Sequence, residues 1–126
     1  MIKLSTDKIL LFHKYIGQVT GGSVGVRDKN LLDSALANIF SGFGEIEFYP
    51  SKEEKGARLA YNLITMHPFL DGNKRIGMYA LLIFLEINSI RLQCTDDEIV
   101  RTGISVADGT MKYEDLLNWT IEHKEK

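Results

Sequence analysis

From Ile76 to Ile87 the chain is apolar at nearly every position, with Glu86 as the one charged residue. A helix that is hydrophobic all round has no face to give to water and must be surrounded. The segment therefore asks for a fold built about one central helix. Its longest unbroken apolar stretch, Met78 to Leu85, has eight residues, far short of the roughly 20 that a membrane-spanning helix needs. It reads as a core segment.

The flanking sequence supplies the neighbours. Ile9, Phe12, Ile16 and Val19 recur at helical spacing behind Ser5-Thr6-Asp7, a polar run suited to capping a first turn, and Gly21-Gly22 stops that helix before a loop from Ser23 to Arg27. Asp28 caps a second helix with the stripe Leu32, Ala35, Leu36, Ile39 and Phe40, ended by Ser41-Gly42. Ser51 with Glu54 and Thr95 with Glu98 are capping boxes. The first opens a third helix that Pro68 ends, with His67 at its last turn. The second opens a helix running to about Val106, and Asp108-Gly109 makes a turn. Leu116, Leu117, Trp119, Thr120 and Ile121 mark a closing helix whose charged end, Glu122 to Lys126, is expected to fray.

Only FGEIEFY, Phe43 to Tyr49, alternates with the period of a strand. One strand's worth of pattern makes no sheet, which leaves a small hairpin, an edge for a partner, or a plain loop. The expected fold class is all-α: a bundle of about six helices with a short extended flap. With 126 residues, 44% of them hydrophobic, the chain can fill one core, so a single domain over 1–126 is expected. A formal net charge of −2 argues against direct nucleic-acid binding. One cysteine, Cys94, allows neither an internal disulfide nor a thiolate metal site and suits a reducing cytoplasm. No export signal is visible, and no membrane partner is expected.

Between the third helix and the central one stands HPFLDGNKR, His67 to Arg75. Three of its choices disfavour a helix start: Gly72 and Asn73 are poor helix formers, and Lys74 and Arg75 place positive charge where the helix dipole favours negative. A bound phosphate would resolve all three. If Asp71 caps the central helix, then Gly72, Asn73, Lys74 and Arg75 fill its first turn, where free N–H groups form an anion cradle. Asp71 could then hold Mg²⁺ beside a polyphosphate, and His67 could take the proton of an attacking hydroxyl. Phe69 would anchor the turn in the core. Taken singly, each residue has a plainer use as a cap, a dipole partner or a solvated charge. The nine together point to chemistry. His13, His123 and Cys94 have no partners at meaningful spacing and receive no role.

The nine residues resemble the signature of the Fic/Doc family, HPFx(D/E)GNxR. GVRDKNLLDSAL before them and ALLIFLEINSIRL after them resemble its death-on-curing (Doc) branch, so the likeness runs from about Gly25 to Leu92. The resemblance implies the Fic/Doc core, with the target-aligning flap at Glu45, Ile46, Glu47 and Phe48. It implies His67 as catalytic base, Asp71 as Mg²⁺ ligand, Phe69 as structural anchor, and Gly72, Asn73, Lys74 and Arg75 as binders of the ATP phosphates. Two positions depart from the AMP-transferring pattern, which has glycine at Lys74 and a second arginine at Met78. Both departures are Doc-like. The implied function is a toxin of a toxin-antitoxin pair that transfers the γ-phosphoryl group of ATP to a threonine of a translation factor such as elongation factor Tu and is neutralised by a Phd-like antitoxin. Transfer of AMP by a Fic-type nucleotidyltransferase, and a non-catalytic module that binds an anion or an acidic tail, stand as alternatives. The inhibitory S/TxxxE helix of Fic proteins has only a near miss here, Thr110 to Glu114, so inhibition is expected in trans.

Overall fold

The computed structural model describes residues 1–22 and 25–126. Ser23 and Val24, part of the expected loop after the first helix, lie outside the described residues. The helices are α1 (Thr6–Thr20), α2 (Lys29–Asn38), α3 (Lys52–Met66), α4 (Asn73–Ile87), α5 (Asp96–Ala107) and α6 (Tyr113–Glu122), with a two-stranded sheet of β1 (Gly42–Phe43) and β2 (Ile46–Glu47). This is the expected all-α bundle. Helix α4 sits in the middle, packed on α3, α5 and α1, with α2 and α6 against the outer sides of α3. Ile76, Met78, Leu81, Phe84 and Leu85 of α4 are buried with Leu59, Leu63 and Ile64 of α3. Ser5, Asp28, Ser51 and Thr95 cap their helices as their residue types suggest, and both expected capping boxes form.

Helix α1 differs from its expected orientation. Its buried residues are Ile9, His13 and Gly17, whereas Phe12 and Ile16 are half-buried and Val19 is exposed. The helix is rolled so that its most apolar stripe borders a groove and a histidine faces the core.

The flap is a hairpin, with Gly42 paired to Glu47 and Phe43 to Ile46 in antiparallel register. Phe43, Ile46 and Phe48 are exposed. A buried cation holds this small sheet: Lys55, 1% exposed, donates to Glu47 Oε1 at 2.8 Å and to the Tyr49 carbonyl, beside the Phe40 ring. One turn on, the Arg58 guanidinium lies 5.3 Å from the ring centres of Tyr49, Tyr61 and Tyr113. Burial, followed by the charges of Glu54 and Tyr49, pushes the Tyr113 hydroxyl up to about 12.

The charged end after α6 does not fray as expected. Gln93 donates to the His123 carbonyl at 2.7 Å, Glu125 to that of Arg91 at 2.8 Å, and Lys124 pairs with Glu53 at 2.9 Å. The His123 ring stacks on Trp119 and donates to the Trp119 carbonyl and the Glu98 carboxylate. These long-range partners, invisible in a local reading, tie the tail down.

Candidate functional site at the start of the central helix

Proline disfavours helical geometry for the residue before it, and α3 stops at Met66 with His67 as its left-handed cap, φ 52° and ψ 57°. The last carbonyls of α3 then need donors, which Arg27 provides: its Nε donates to the His67 carbonyl at 2.6 Å and its Nη2 to that of Met66 at 2.8 Å. The same segment grips the residues after His67. Arg27 and Asp28 amides donate to the Pro68 carbonyl at 2.8 and 3.0 Å, Leu70 donates to the Gly25 carbonyl at 3.0 Å, and Val26 bridges Phe69. The loop is held along both edges, and His67 is left exposed, its ring without a hydrogen-bond partner among the described residues.

Phe69 is buried, as an anchor should be, and stacks on His13 with ring centres 3.7 Å apart and planes 13° apart. Asn73 closes the loop from the other side. Its Oδ1 accepts from the Phe69 amide at 3.0 Å and its Nδ2 donates to the Phe69 carbonyl at 3.1 Å. The Asn73 side chain is thus committed to the loop, and what it can offer an anion is its backbone N–H.

The capping residue is Gly72, not Asp71. Gly72 has φ 79° and offers no side-chain cap, and α4 begins at Asn73. The reason is steric: a left-handed residue must stand at this sharp turn, and glycine takes that geometry without strain. Asp71 sits just before it. Its Oδ1 accepts from the Gly72 amide at 2.8 Å, and its carbonyl accepts from His13 Nε2 at 2.7 Å. The first intrahelical bond of α4 runs from Ile76 to Gly72 at 2.9 Å, so the amides of Asn73, Lys74 and Arg75 have no partner among the described residues. Lys74 and Arg75 are exposed and make no ion pair there either.

These groups open onto a groove of about 710 Å³ between α1, α4 and α5. Asp71, Gly72, Lys74 and Arg75 line one part of it, and the rest is largely apolar: Phe12, Tyr15, Ile16 and Val19 from α1, Tyr79 and Ile83 from α4, Ile99 and Ile104 from α5. His67 and Asn73 are not among its lining residues. His67 lies on the surface at the end of α3, joined to the cradle by the loop from Pro68 to Gly72.

The flap is anchored near the start of α3. Glu47 is tied to Lys55 in the first turn of α3, and His67 caps the other end, twelve residues on, about 18 Å along a helix axis. Glu114 likewise follows a residue bonded to the start of α3. It begins α6 beside Tyr113, whose hydroxyl donates to the Glu54 carbonyl at the start of α3.

Among the described residues no cluster of three His, Cys, Asp or Glu side chains could hold a metal ion. A divalent cation at this site would have Asp71 as its one protein carboxylate. That donor set suits Mg²⁺, which takes one or two carboxylates and completes its shell with water and phosphate oxygens. The residues fit a metal carried in with a polyphosphate.

Three residues of this site have no place in a reading of the nine-residue motif. His13 and Arg27 act through backbone carbonyls of the loop, and Gly22 gives the Asp71 carboxylate room, since a Cβ there would lie 3.0 Å from Asp71 Oδ2. A signal existed for His13: it stands four residues from both Ile9 and Gly17, on a stripe whose other members are small or apolar.

Residues 3–85 match the family described as the Fic/DOC family. Among curated proteins, Toxin Doc of Mycolicibacterium smegmatis (strain ATCC 700084 / mc(2)155) is 38% identical over 77 residues, which cover 61% of this chain and 59% of that relative.

Proposed function

This chain belongs to the Fic/DOC family, and from that premise we propose that it is a Doc-type toxin that transfers the γ-phosphoryl group of ATP to a threonine hydroxyl of a translation factor such as elongation factor Tu. The observation that carries the reading is the bare start of α4: three amides and two cations without partners among the described residues, at the mouth of a groove. Its support from similarity is the relative named Toxin Doc, matched over 59% of that protein's length.

In this reading the amides of Asn73, Lys74 and Arg75 bind phosphate oxygens with help from the helix dipole, and the Arg75 guanidinium pairs with them in bidentate fashion. Asp71 would hold Mg²⁺, which when bound offsets the charge of the phosphates. His67 takes the proton from the threonine oxygen as that oxygen bonds to the γ-phosphorus, the bond to the β-γ bridging oxygen breaks, and ADP leaves. A base so placed contributes about 10²- to 10⁴-fold in rate. An exposed His67 agrees with a protein substrate, whose hydroxyl must reach the base from solvent. The exposed hairpin at Glu45, Ile46, Glu47 and Phe48 would align that substrate by adding its backbone to the hairpin edge.

The apolar groove suits a Phd-like antitoxin. A helix of such a partner, laid against Phe12, Ile16 and Ile104, would cover Lys74 and Arg75 and inhibit in trans. The test is intact mass of elongation factor Tu after incubation with this protein, ATP and Mg²⁺. A phosphoryl increment supports the reading. A nucleotidyl increment replaces it with AMP transfer. No increment, with toxicity unchanged in His67→Ala, would make the chain a non-catalytic binding module.

A further inference from the structure

His13 is a buried polar residue on the core face of α1, 2% exposed. Such a group is stable only if its polar atoms are satisfied, and the partner found here is specific. Nε2 lies 2.7 Å from the Asp71 carbonyl oxygen, which can only accept, so Nε2 carries the proton and donates. The ring face meanwhile stacks on Phe69, and the Gly72 position, where a Cβ would lie 3.4 Å from Nε2, closes over its edge. One side chain of α1 therefore touches three residues of the loop: the anchor, the carboxylate-bearing residue and the cap.

We infer that His13 is a positioning residue: through the Asp71 carbonyl it sets where the Asp71 carboxylate and the first amides of α4 stand. The inference rests on the reading of that cradle as the seat of Mg²⁺-ATP. Rotating the Asp71–Gly72 peptide would swing both the carboxylate and the Gly72 N–H that it accepts from, and the bond from His13 opposes that rotation. His13 itself does not line the large groove; it lines a small adjoining cavity with Asp71, Gly72 and Arg75, and its polar contact is with the Asp71 carbonyl. Its neighbours in the helix, Phe12 and Ile16, do line the large groove, so α1 is also the element through which a groove occupant would press on the loop.

Two variants separate the donor from the ring. His13→Phe keeps a stacked ring and removes the N–H, whereas His13→Gln keeps an N–H at similar reach and removes the ring. Calorimetric titration of the full chain with Mg²⁺-ATP is the readout, with thermal unfolding as the check on folding. The expected result is a loss of about 10-fold or more in affinity for His13→Phe, as for other residues that orient a metal ligand, and most of the affinity kept in His13→Gln. The reverse order, or equal affinity in both, would overturn the inference while leaving the site reading intact. No uptake by the unaltered chain would overturn both. If neither variant folds, nitrogen NMR of the unaltered protein decides: a slowly exchanging proton on Nε2 of His13 is expected, and a ring protonated at Nδ1 alone would refute the bond.

Discussion

The pair Lys55–Glu47 should respond asymmetrically to removal of either partner. Lys55 is 1% exposed and Glu47 50%, so the two charges are not equally dependent on each other. Glu47→Ala leaves a buried ammonium with the Tyr49 carbonyl and the Phe40 ring as its remaining partners. Breaking a fully buried pair this way costs about 3–5 kcal/mol, and an exposed pair contributes about 0.2–1 kcal/mol. Because water can reach Lys55 through the half-exposed side, the loss should fall between, at about 2 kcal/mol. Lys55→Met instead removes the buried charge, fills the same volume and leaves Glu47 free to hydrate. Its cost is one unpaired carbonyl, about 1 kcal/mol. Urea unfolding of the two variants and of the double variant measures the difference, and for a chain of this size it corresponds to a melting temperature lower by roughly 4 °C in Glu47→Ala than in Lys55→Met. Lys55→Met as the more damaging change, or equal losses, would refute the idea that desolvation of the ammonium governs the hairpin's anchor.

His67→Ala should abolish transfer to the protein substrate, a fall of at least about 10²-fold, while urea unfolding stays within about 0.5 kcal/mol because the ring is exposed and makes no bond among the described residues. Gly77→Ala should destabilise, since its Cβ would lie 2.6 Å from Ile64 Cγ1 and 3.1 Å from the Ala60 carbonyl. Overpacking of about 1–3 kcal/mol outweighs the gain of about 1 kcal/mol in helix propensity, and a stabilised variant in urea would contradict this. In Gly22→Ala the new methyl crowds Asp71 Oδ2 at 3.0 Å, so calorimetry should find weaker Mg²⁺-ATP binding. For the C-terminal tail, burial pulls the His123 pKa down, but the bonds to the Trp119 carbonyl and the Glu98 carboxylate outweigh it and raise it above 6.5. A raised histidine stabilises the fold fully below its ordinary value and loses that contribution as pH rises through the folded value. Hydrogen exchange of the Gln93 and Glu125 amides should therefore speed up as pH rises from 6.5 through the raised folded value, beyond the intrinsic increase, and the effect should vanish in His123→Gln.

Much of this fold is legible locally because its signals act over one turn of chain. Ser51 with Glu54 and Thr95 with Glu98 need only each other to cap α3 and α5, and an all-apolar Ile76–Ile87 can be satisfied only by burial. The nine residues from His67 to Arg75 likewise carry their chemistry in their own order. The left-handed turn at Gly72, by contrast, moved the cap from Asp71, and the bonds of the Asn73 side chain to the backbone of Phe69 have no signal in the local pattern.

The amino-acid sequence alone determined that helices form, where they stop, and which residues gather at the start of the central one, since caps, prolines and apolar periods are properties of neighbours in the chain. Tertiary structure alone decided that α1 rolls to turn His13 inward, that Arg27 caps α3, that the tail is pinned by Glu98 and Glu53, and that the hairpin is anchored far from His67. The contacts of His13, Arg27 and the tail join residues from 25 to 71 positions apart. A buried donor must find an acceptor, but which acceptor it finds depends on how whole helices pack, and no local pattern encodes that.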